Sequence, residues 1–140
     1  MADQSLTIAA RLDQIERVCS LVARAARSAG FDRKTTYACE LAVAEACENI
    51  IKHGYAGSEA DGISVVARAK PGELTIELED SAPPFNPASR PQPPDWTAED
   101  PPVGGLGLLI IHRVMDEVEY HRQAGRNRLR LRKRCQPPAS

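Results

Sequence analysis

The chain has 140 residues, a formal net charge of −1, an apolar share of 42% and a charged share of 26%. This length suits one folded domain with one core, and the near-zero net charge gives no overall bias toward nucleic acid or anionic membranes. Since no apolar run approaches the roughly 20 residues of a membrane-spanning helix and Met1–Gln4 does not begin a signal peptide, we expect a cytoplasmic protein that contacts neither membrane nor nucleic acid directly.

Apolar residues recur at strand or helix spacing along the first 80 residues. The elements predicted there are a strand at Ser5–Ala10, a helix from Leu12 to about Ala26, a helix from about Arg33 to His53, and strands at Ile63–Ala69 and Glu73–Asp80. Gly30 and Gly54 are the expected helix ends, and Asp32 is the expected cap of the second helix.

The next segment, from Pro83 to Pro102, holds eight of the eleven prolines and therefore forms neither a helix nor a central strand. A loop of this length is either a functional lid or a disordered surface insertion. After it, the pattern predicts a helix from Gly104 to about Met115 and strands at Glu117–Arg122 and Asn127–Lys133. Arginines alternate with leucines in the last strand. This alternation favours a strand with one solvated face, paired with neighbouring glutamates, over a nucleic-acid-binding arm.

This order of elements predicts the fold class. Strands with one apolar and one polar face, interleaved with three helices, are typical of an α/β two-layer sandwich. We expect a mixed, largely antiparallel sheet with three helices on one face, in a single domain over 1–140 with a short flexible tail at 135–140. The cysteines lack metal-ligand spacing and are expected to be reduced thiols, three of them in helical core patterns: Cys19, Cys39, Cys47 and Cys135.

Glu45 and Asn49 lie four residues apart on the second helix, on a face that we expect to point away from its apolar stripe. A carboxylate and a carboxamide one turn apart can act as a proton acceptor and a magnesium ligand. A solvated helix face is the simpler explanation of the pair taken alone.

Asp80 continues the inward-facing series of its strand. The preceding members of that series are all apolar: Leu74, Ile76 and Leu78. A carboxylate at the end of an apolar face is costly unless it is paired or hydrogen-bonded. The exocyclic amine of adenine would satisfy it, although Asp80 could also simply mark the strand's exit into a turn.

The segment Gly104–Leu108 has closely spaced glycines before a helix. Such glycines let backbone amides approach phosphates, and a helix N-terminus favours anions, but plain turns share the pattern. The P-loop motif is absent, and no parallel βαβ unit surrounds these glycines as a dinucleotide-binding fold requires.

Taken together in this order, the three features resemble the GHKL ATPases of the Bergerat, or histidine-kinase-like, fold. Within them the chain resembles the bacterial anti-sigma-factor serine kinases of partner-switching systems (RsbW-like), from about Leu6 to Lys133. The matching segments are Glu45–Tyr55 for the N-box, Asp80–Pro87 and Gly104–Leu108 for the two glycine boxes, and Met115–Val118 with Gly125–Leu129 for the closing hairpin.

The resemblance implies that ATP and Mg²⁺ are bound, with Glu45 as the general base and Asn49 as the magnesium ligand. It implies that Asp80 binds the adenine amine and that a lid at about 83–103 hinges at the second glycine box. The residues implied to contact the nucleotide are Asn49, Asp80, Ala82, Phe85, Gly104, Gly105, Leu106, Gly107 and Leu108. Ala82 departs from the family's usual glycine and costs on the order of 1 kcal/mol if that backbone takes positive φ or lies against the adenine, so nucleotide binding would be reduced or lost.

The implied activity is phosphorylation of a serine or threonine on a STAS-type anti-sigma-factor antagonist, alternating with inhibition of a sigma factor by a homodimer. The alternative is a protein-binding module of the same fold that binds nucleotide weakly or not at all. A sensor histidine kinase fragment is disfavoured because the histidines all lie within the ATP-binding pattern, at His53, His112 and His121.

Overall fold

The computed structural model describes residues 3–55, 62–83 and 105–135. Its elements are β1 (Asp3–Ala9), α1 (Ile15–Ser28), α2 (Arg33–Asn49), β2 (Gly62–Lys70), β3 (Glu73–Asp80), α3 (Gly105–Val114), β4 (Glu117–Gln123) and β5 (Arg126–Arg134). A 3-10 turn at Leu12–Gln14 leads into α1, and a π-helical turn at Ile50–Gly54 extends α2. Beyond Pro83 the predicted lid lies outside the described residues, as does the predicted tail beyond Cys135.

The strands form one sheet in the order β1-β2-β3-β5-β4, and all four pairings are antiparallel. The predicted α/β two-layer sandwich is confirmed. Its core lies between the sheet and the helices, because alternate strand residues point inward. In β3 the inward residues are Leu74, Ile76, Leu78 and Asp80, all buried.

The outer face of the sheet carries ion pairs between neighbouring strands. Arg128 lies 2.7 Å from Glu79 on β3, and Arg132 lies 2.9 Å from Glu117 on β4. Pairing of these arginines with the outward glutamates of β4 was expected from the sequence, whereas the pair with Glu79 was not. Exposed pairs of this kind contribute about 0–1 kcal/mol each, so the buried face rather than the ion pairs holds the sheet to the helices.

Helix α2 is fixed at both ends. At its start, Asp32 Oδ1 accepts a hydrogen bond from the Thr35 N–H at 2.7 Å, which confirms the predicted cap. Past its π-helical end, the Tyr55 hydroxyl donates to the Gly62 carbonyl at 2.9 Å and accepts from the Ser81 N–H at 3.0 Å. These bonds attach the end of α2 to the segment that follows β3.

The cysteines are free thiols, of which Cys39 and Cys47 are buried in the core. Burial raises the pKa of both thiols, that of Cys39 to about 11. Both therefore behave as core residues, as the sequence predicted, whereas Cys19, the third predicted core thiol, is half-buried and packs against the core. None of the helices in the described ranges combines the length and apolar character needed to cross a membrane.

Candidate functional site

The C-terminal part of α2 and the first turn of α3 meet at Glu45, Asn49 and Gly107, which we call the α2–α3 cluster. A β-carbon placed on Gly107 would lie 2.6 Å from Glu45 Oε2 and 3.6 Å from Asn49 Oδ1. The first distance is shorter than real β-carbons allow, so any side chain at position 107 would displace the Glu45 carboxylate. The structure thus brings together three of the predicted site residues, and a glycine permits their close approach.

Asn49 is only 6% exposed, which corrects the expectation that it shares with Glu45 a face pointing away from the core. Asn49 is buried because α3 packs against α2. Glu45, one turn earlier on the same helix, stays half-buried. The Nδ2 atom of Asn49 is buried without a hydrogen-bond partner among the described residues. Such a group costs roughly 1–3 kcal/mol, so a solvated helix face no longer explains Asn49, and its Nδ2 remains available as a donor to a ligand.

The donor atoms of the α2–α3 cluster fit magnesium only in part. Asn49 Oδ1 is an oxygen ligand of the kind that magnesium accepts. Across the described ranges, however, no group of three or more His, Cys, Asp or Glu residues could hold a metal ion. Magnesium would therefore need a companion ligand that brings further oxygen atoms, such as a phosphate chain.

The proton affinity of Glu45 is higher than that of an ordinary glutamate. Partial burial raises the pKa of its carboxyl group, and the negative charge of Glu48 raises it further. Lys52 lowers it, but the lysine ammonium pairs directly with Glu48 at 2.6 Å. Glu45 is consequently a carboxylate beside a glycine turn with a raised affinity for a proton, as a general base requires.

A second group of residues lies where β3 ends beside β5 and β4. We call Asp80, Ala82, Arg122 and Asn127 the β3–β5 cluster. Asp80 is 4% exposed, and its Oδ1 accepts hydrogen bonds from the Ala82 N–H at 2.9 Å and from Asn127 Nδ2 at 2.8 Å. The prediction that Asp80 faces inward is confirmed, and the bonds that make its burial tolerable come from the chain itself.

Ala82, which stands where related sequences were expected to have glycine, is 1% exposed. Ala124 is the only non-glycine residue with positive φ in the described ranges, so Ala82 does not adopt the conformation that favours glycine. Its carbonyl accepts hydrogen bonds from Asn127 Nδ2 at 2.8 Å and from Arg122 Nη1 at 3.0 Å. The backbone strain that we considered for this substitution is therefore absent, and the contact of Ala82 with the adenine stays a prediction.

Sequence reasoning missed Asn127 and Arg122. Asn127 lies directly opposite Asp80 in the β3–β5 register and precedes the inward-facing Leu129 on the same face of the strand. A polar residue on an apolar face was the signal that singled out Asp80, and the same signal could have found Asn127. No comparable sequence signal marks Arg122 among the many arginines of the hairpin.

The remaining predicted contacts are only partly placed. Phe85 and Gly104 lie outside the described residues, and Gly105 begins α3. Leu106 follows in that turn, but its side chain is outside the described part. Leu108 is half-buried and packs against the core, which is sufficient to account for a leucine there.

Comparison with known proteins gives consistent results. A family model described as a histidine kinase-like ATPase domain matches residues 8–133. The serine-protein kinase RsbW of Listeria innocua is 31% identical over 105 residues, covering 71% of this chain and 67% of that protein. RsbW of Bacillus licheniformis is 30% identical over 91 residues, covering 61% of this chain and 57% of that protein.

A solved structure of the RsbU and RsbW domains of a Mycobacterium tuberculosis protein superimposes with a TM-score of 0.67 at 22% identity. The match covers 99% of this chain and 34% of that chain, so the present chain spans about a third of the longer one. At this identity the likeness shows the fold.

Proposed function

The chain belongs to the histidine kinase-like ATPase domain family, and on that premise we propose that it is an anti-sigma factor with ATP-dependent kinase activity. It transfers the γ-phosphoryl group of ATP to a serine or threonine of an anti-sigma-factor antagonist. Relatives named serine-protein kinase RsbW support this reaction class. The observation that carries the proposal is the α2–α3 cluster, in which a carboxylate and an unpaired buried amide meet at the start of a helix.

In the proposed reaction, Glu45 accepts the proton of the attacking hydroxyl. The hydroxyl oxygen forms a bond to the γ-phosphorus, the bond to the β–γ bridging oxygen breaks, and ADP leaves with that electron pair. The raised pKa of Glu45 strengthens it as a proton acceptor. Because phosphoryl transfer demands mostly positioning, the fixed place of Glu45 beside Gly107 matters as much as its basicity.

The phosphates would lie at the N-terminus of α3, because the first backbone N–H groups of a helix have no partner within the helix and favour anions. Asn49 Oδ1 would be a magnesium ligand, since it faces the same turn. Magnesium, when bound, supplies charge neutralisation of the phosphate oxygens. The adenine amine would donate to Asp80, whose described hydrogen bonds are both accepted by Oδ1.

A non-catalytic protein-binding module of the same fold is the second candidate. Its support is the β3–β5 cluster, because Asp80 is already hydrogen-bonded by Asn127 and by the Ala82 N–H. A carboxylate that the chain itself satisfies does not require a nucleotide. In this case the fold would sequester its partner with ATP bound weakly or not at all.

The proposal includes further parts that follow from the resemblance. The partners are a sigma factor and a STAS-type antagonist, the working form is a homodimer, and the location is the cytoplasm. The segment at about 83–103 is proposed as the lid over the nucleotide. The whole chain, 1–140, serves as one ATP-binding kinase-like domain.

Two measurements test the proposal. Calorimetric titration with ATP and ADP, with and without Mg²⁺, is expected to show magnesium-dependent binding that Asn49→Ala weakens. Incubation with Mg-ATP and the STAS-type antagonist of the same organism is expected to yield phosphoserine or phosphothreonine, and Glu45→Ala is expected to abolish it. Wild-type protein that binds nucleotide without phosphorylating the antagonist favours the binding module, and wild-type protein that binds no nucleotide overturns the ATP site.

A further inference from the structure

The backbone just after β3 is held by side chains from two other strands. The Ala82 carbonyl accepts from Arg122 Nη1 at 3.0 Å and from Asn127 Nδ2 at 2.8 Å. Arg122 on β4 and Asn127 on β5 are directly opposite each other in the antiparallel register. Side chains of two strands that follow α3 in the chain thus donate hydrogen bonds to a residue that precedes α3.

Arg122 differs from the other arginines of the hairpin in what it binds. The guanidinium groups of Arg128 and Arg132 form ion pairs with glutamates of neighbouring strands, at 2.7 Å and 2.9 Å. The hydrogen bonds of Arg122 in the described part of the chain instead go to two uncharged oxygens, the Ala82 carbonyl and Asn127 Oδ1, the latter at 2.7 Å. A bond from a charged donor is stronger and more directional than one between neutral groups, so Arg122 fixes both oxygens.

Asn127 has no hydrogen-bonding group left for a ligand. Its Nδ2 donates to Asp80 Oδ1 and to the Ala82 carbonyl, and its Oδ1 accepts from Arg122 and from the Tyr120 hydroxyl. An amide nitrogen has two hydrogens, and both are used. Asn127 therefore sets the direction of the Asp80 carboxylate, and Oδ2 is the carboxylate oxygen that the described bonds leave available.

We propose that Arg122 is a positioning residue for base discrimination: by fixing Asn127 and the Ala82 carbonyl, it aims Asp80 at the exocyclic amine of adenine. This inference rests on the proposed function, because it assigns a specificity device to the same nucleotide site. An aimed carboxylate accepts a hydrogen bond from the amine of adenine, whereas guanine places a carbonyl oxygen there, which has no hydrogen to donate. A carboxylate free to rotate discriminates less, because it can turn away from the guanine oxygen.

The test is the ratio of the dissociation constants for GTP and ATP, measured by calorimetry with Mg²⁺ on the full chain. Arg122→Met keeps the apolar stem and removes both hydrogen bonds. We expect it to weaken ATP binding about 10-fold while GTP changes far less, so that the ratio falls. Arg122→Lys retains one charged donor and is expected to recover part of the ratio. Arg126→Met is the matched control, since Arg126 pairs with Glu79 on the outer face at 3.8 Å and should leave the ratio unchanged.

The outcomes separate this inference from the proposed function. If the wild-type protein binds no nucleotide, the proposed function is overturned and this inference with it. If the wild-type protein favours ATP and folded Arg122→Met keeps the same ratio, this inference alone is overturned. Should Arg122→Met fail to fold, Arg122→Gln, which replaces the charged guanidinium by a neutral amide, is measured instead, and a ratio that stays at the wild-type value in that variant also overturns the inference.

Discussion

Two asparagines, one in each cluster, are equally hidden from solvent but differently held. Asn49 in the α2–α3 cluster is 6% exposed and Asn127 in the β3–β5 cluster is 5% exposed. Asn127 uses both ends of its carboxamide within the chain, whereas Nδ2 of Asn49 has no partner among the described residues. The Asn127 carboxamide is thus fully satisfied within the chain, whereas the Asn49 carboxamide keeps a donor that the described residues do not use.

This difference indicates separate roles for the two clusters in the proposed function. A preformed hydrogen-bond network fixes the direction of its polar groups, which suits recognition of a planar base. A cluster with an unpaired amide and a carboxylate of raised pKa suits a charged ligand and a moving proton. Variants in the α2–α3 cluster should therefore affect chemistry more than stability, and variants in the β3–β5 cluster should affect both.

The largest effect is expected from Glu45→Gln. It removes the proton acceptor with little change in shape, and we expect phosphoryl transfer to the antagonist to fall about 10²–10⁴-fold while the ATP dissociation constant changes little. Glu40→Gln is the control, because Glu40 lies on the same helix outside the α2–α3 cluster. Transfer that survives in Glu45→Gln and falls in Glu40→Gln would contradict the assigned roles.

A smaller loss is expected from Gly107→Ala. Its new β-carbon would lie 2.6 Å from Glu45 Oε2 and must push the carboxylate aside, which the flexible side chain can accommodate without unfolding. A displacement of about 1 Å can cost up to about 10²-fold in rate, and we expect a loss of about 10–10²-fold. Single-turnover phosphorylation measures it.

The effect of Gly107→Ala should act through Glu45. In the Glu45→Gln background the additional loss caused by Gly107→Ala is therefore expected to be small, because the base is already absent. Equal losses in the two backgrounds would show that Gly107 acts independently, for example through the phosphates.

Unfolding measurements compare the two asparagines directly. Asn127→Ala leaves Asp80 Oδ1 and the Ala82 carbonyl without one donor each, and we expect the free energy of unfolding to drop by about 2–3 kcal/mol. Asn49→Ala removes a carboxamide whose Nδ2 has no partner among the described residues, and it should cost less than about 1 kcal/mol. Urea titration measures the free energy of unfolding of both variants. Equal losses in the two variants would contradict the distinction between the clusters.

Much of the fold could be predicted from sequence because it depends on local periodicity. The alternation of Leu74, Ile76 and Leu78 also predicts where Asp80 points, since inward positions recur every second residue. The chemistry of Glu45 and Asn49 could be proposed from their spacing on a helix. These features depend on a few neighbouring residues, and the sequence contains them directly.

Features that depend on contacts distant in sequence could not be predicted in this way. The burial of Asn49 results from α3, whose place on α2 the local pattern does not encode. The contact of Arg122 with Ala82 requires the order β3-β5-β4, in which strands distant in sequence become neighbours. Whether Ala82 takes positive φ depends on how these strands hold the chain. The resemblance alone indicated only that alanine in place of glycine would be strained if it did.

The smallest effect is expected at Asp32, which begins the helix that carries Glu45 and Asn49. The hydrogen bond from the Thr35 N–H lowers the pKa of the Asp32 carboxyl group. A lowered folded-state pKa means that the cap stabilises fully above the unfolded-state pKa, and that this stabilisation is lost as the pH falls through the folded-state value. Asp32→Ala should therefore lower Tm by a few degrees at neutral pH, and its difference from wild type should shrink in acid.

Asp32→Asn can still accept the Thr35 N–H and is the matched control, with most of the Tm retained at neutral pH. Nucleotide affinity in Asp32→Ala should stay within about 2-fold of wild type, because sites without shared partners act almost independently. The far end of α2 is held by the hydroxyl of Tyr55, which does not depend on the cap. A large loss of affinity in Asp32→Ala would mean that the α2–α3 cluster is positioned by the whole helix and not by the contacts at its C-terminal end.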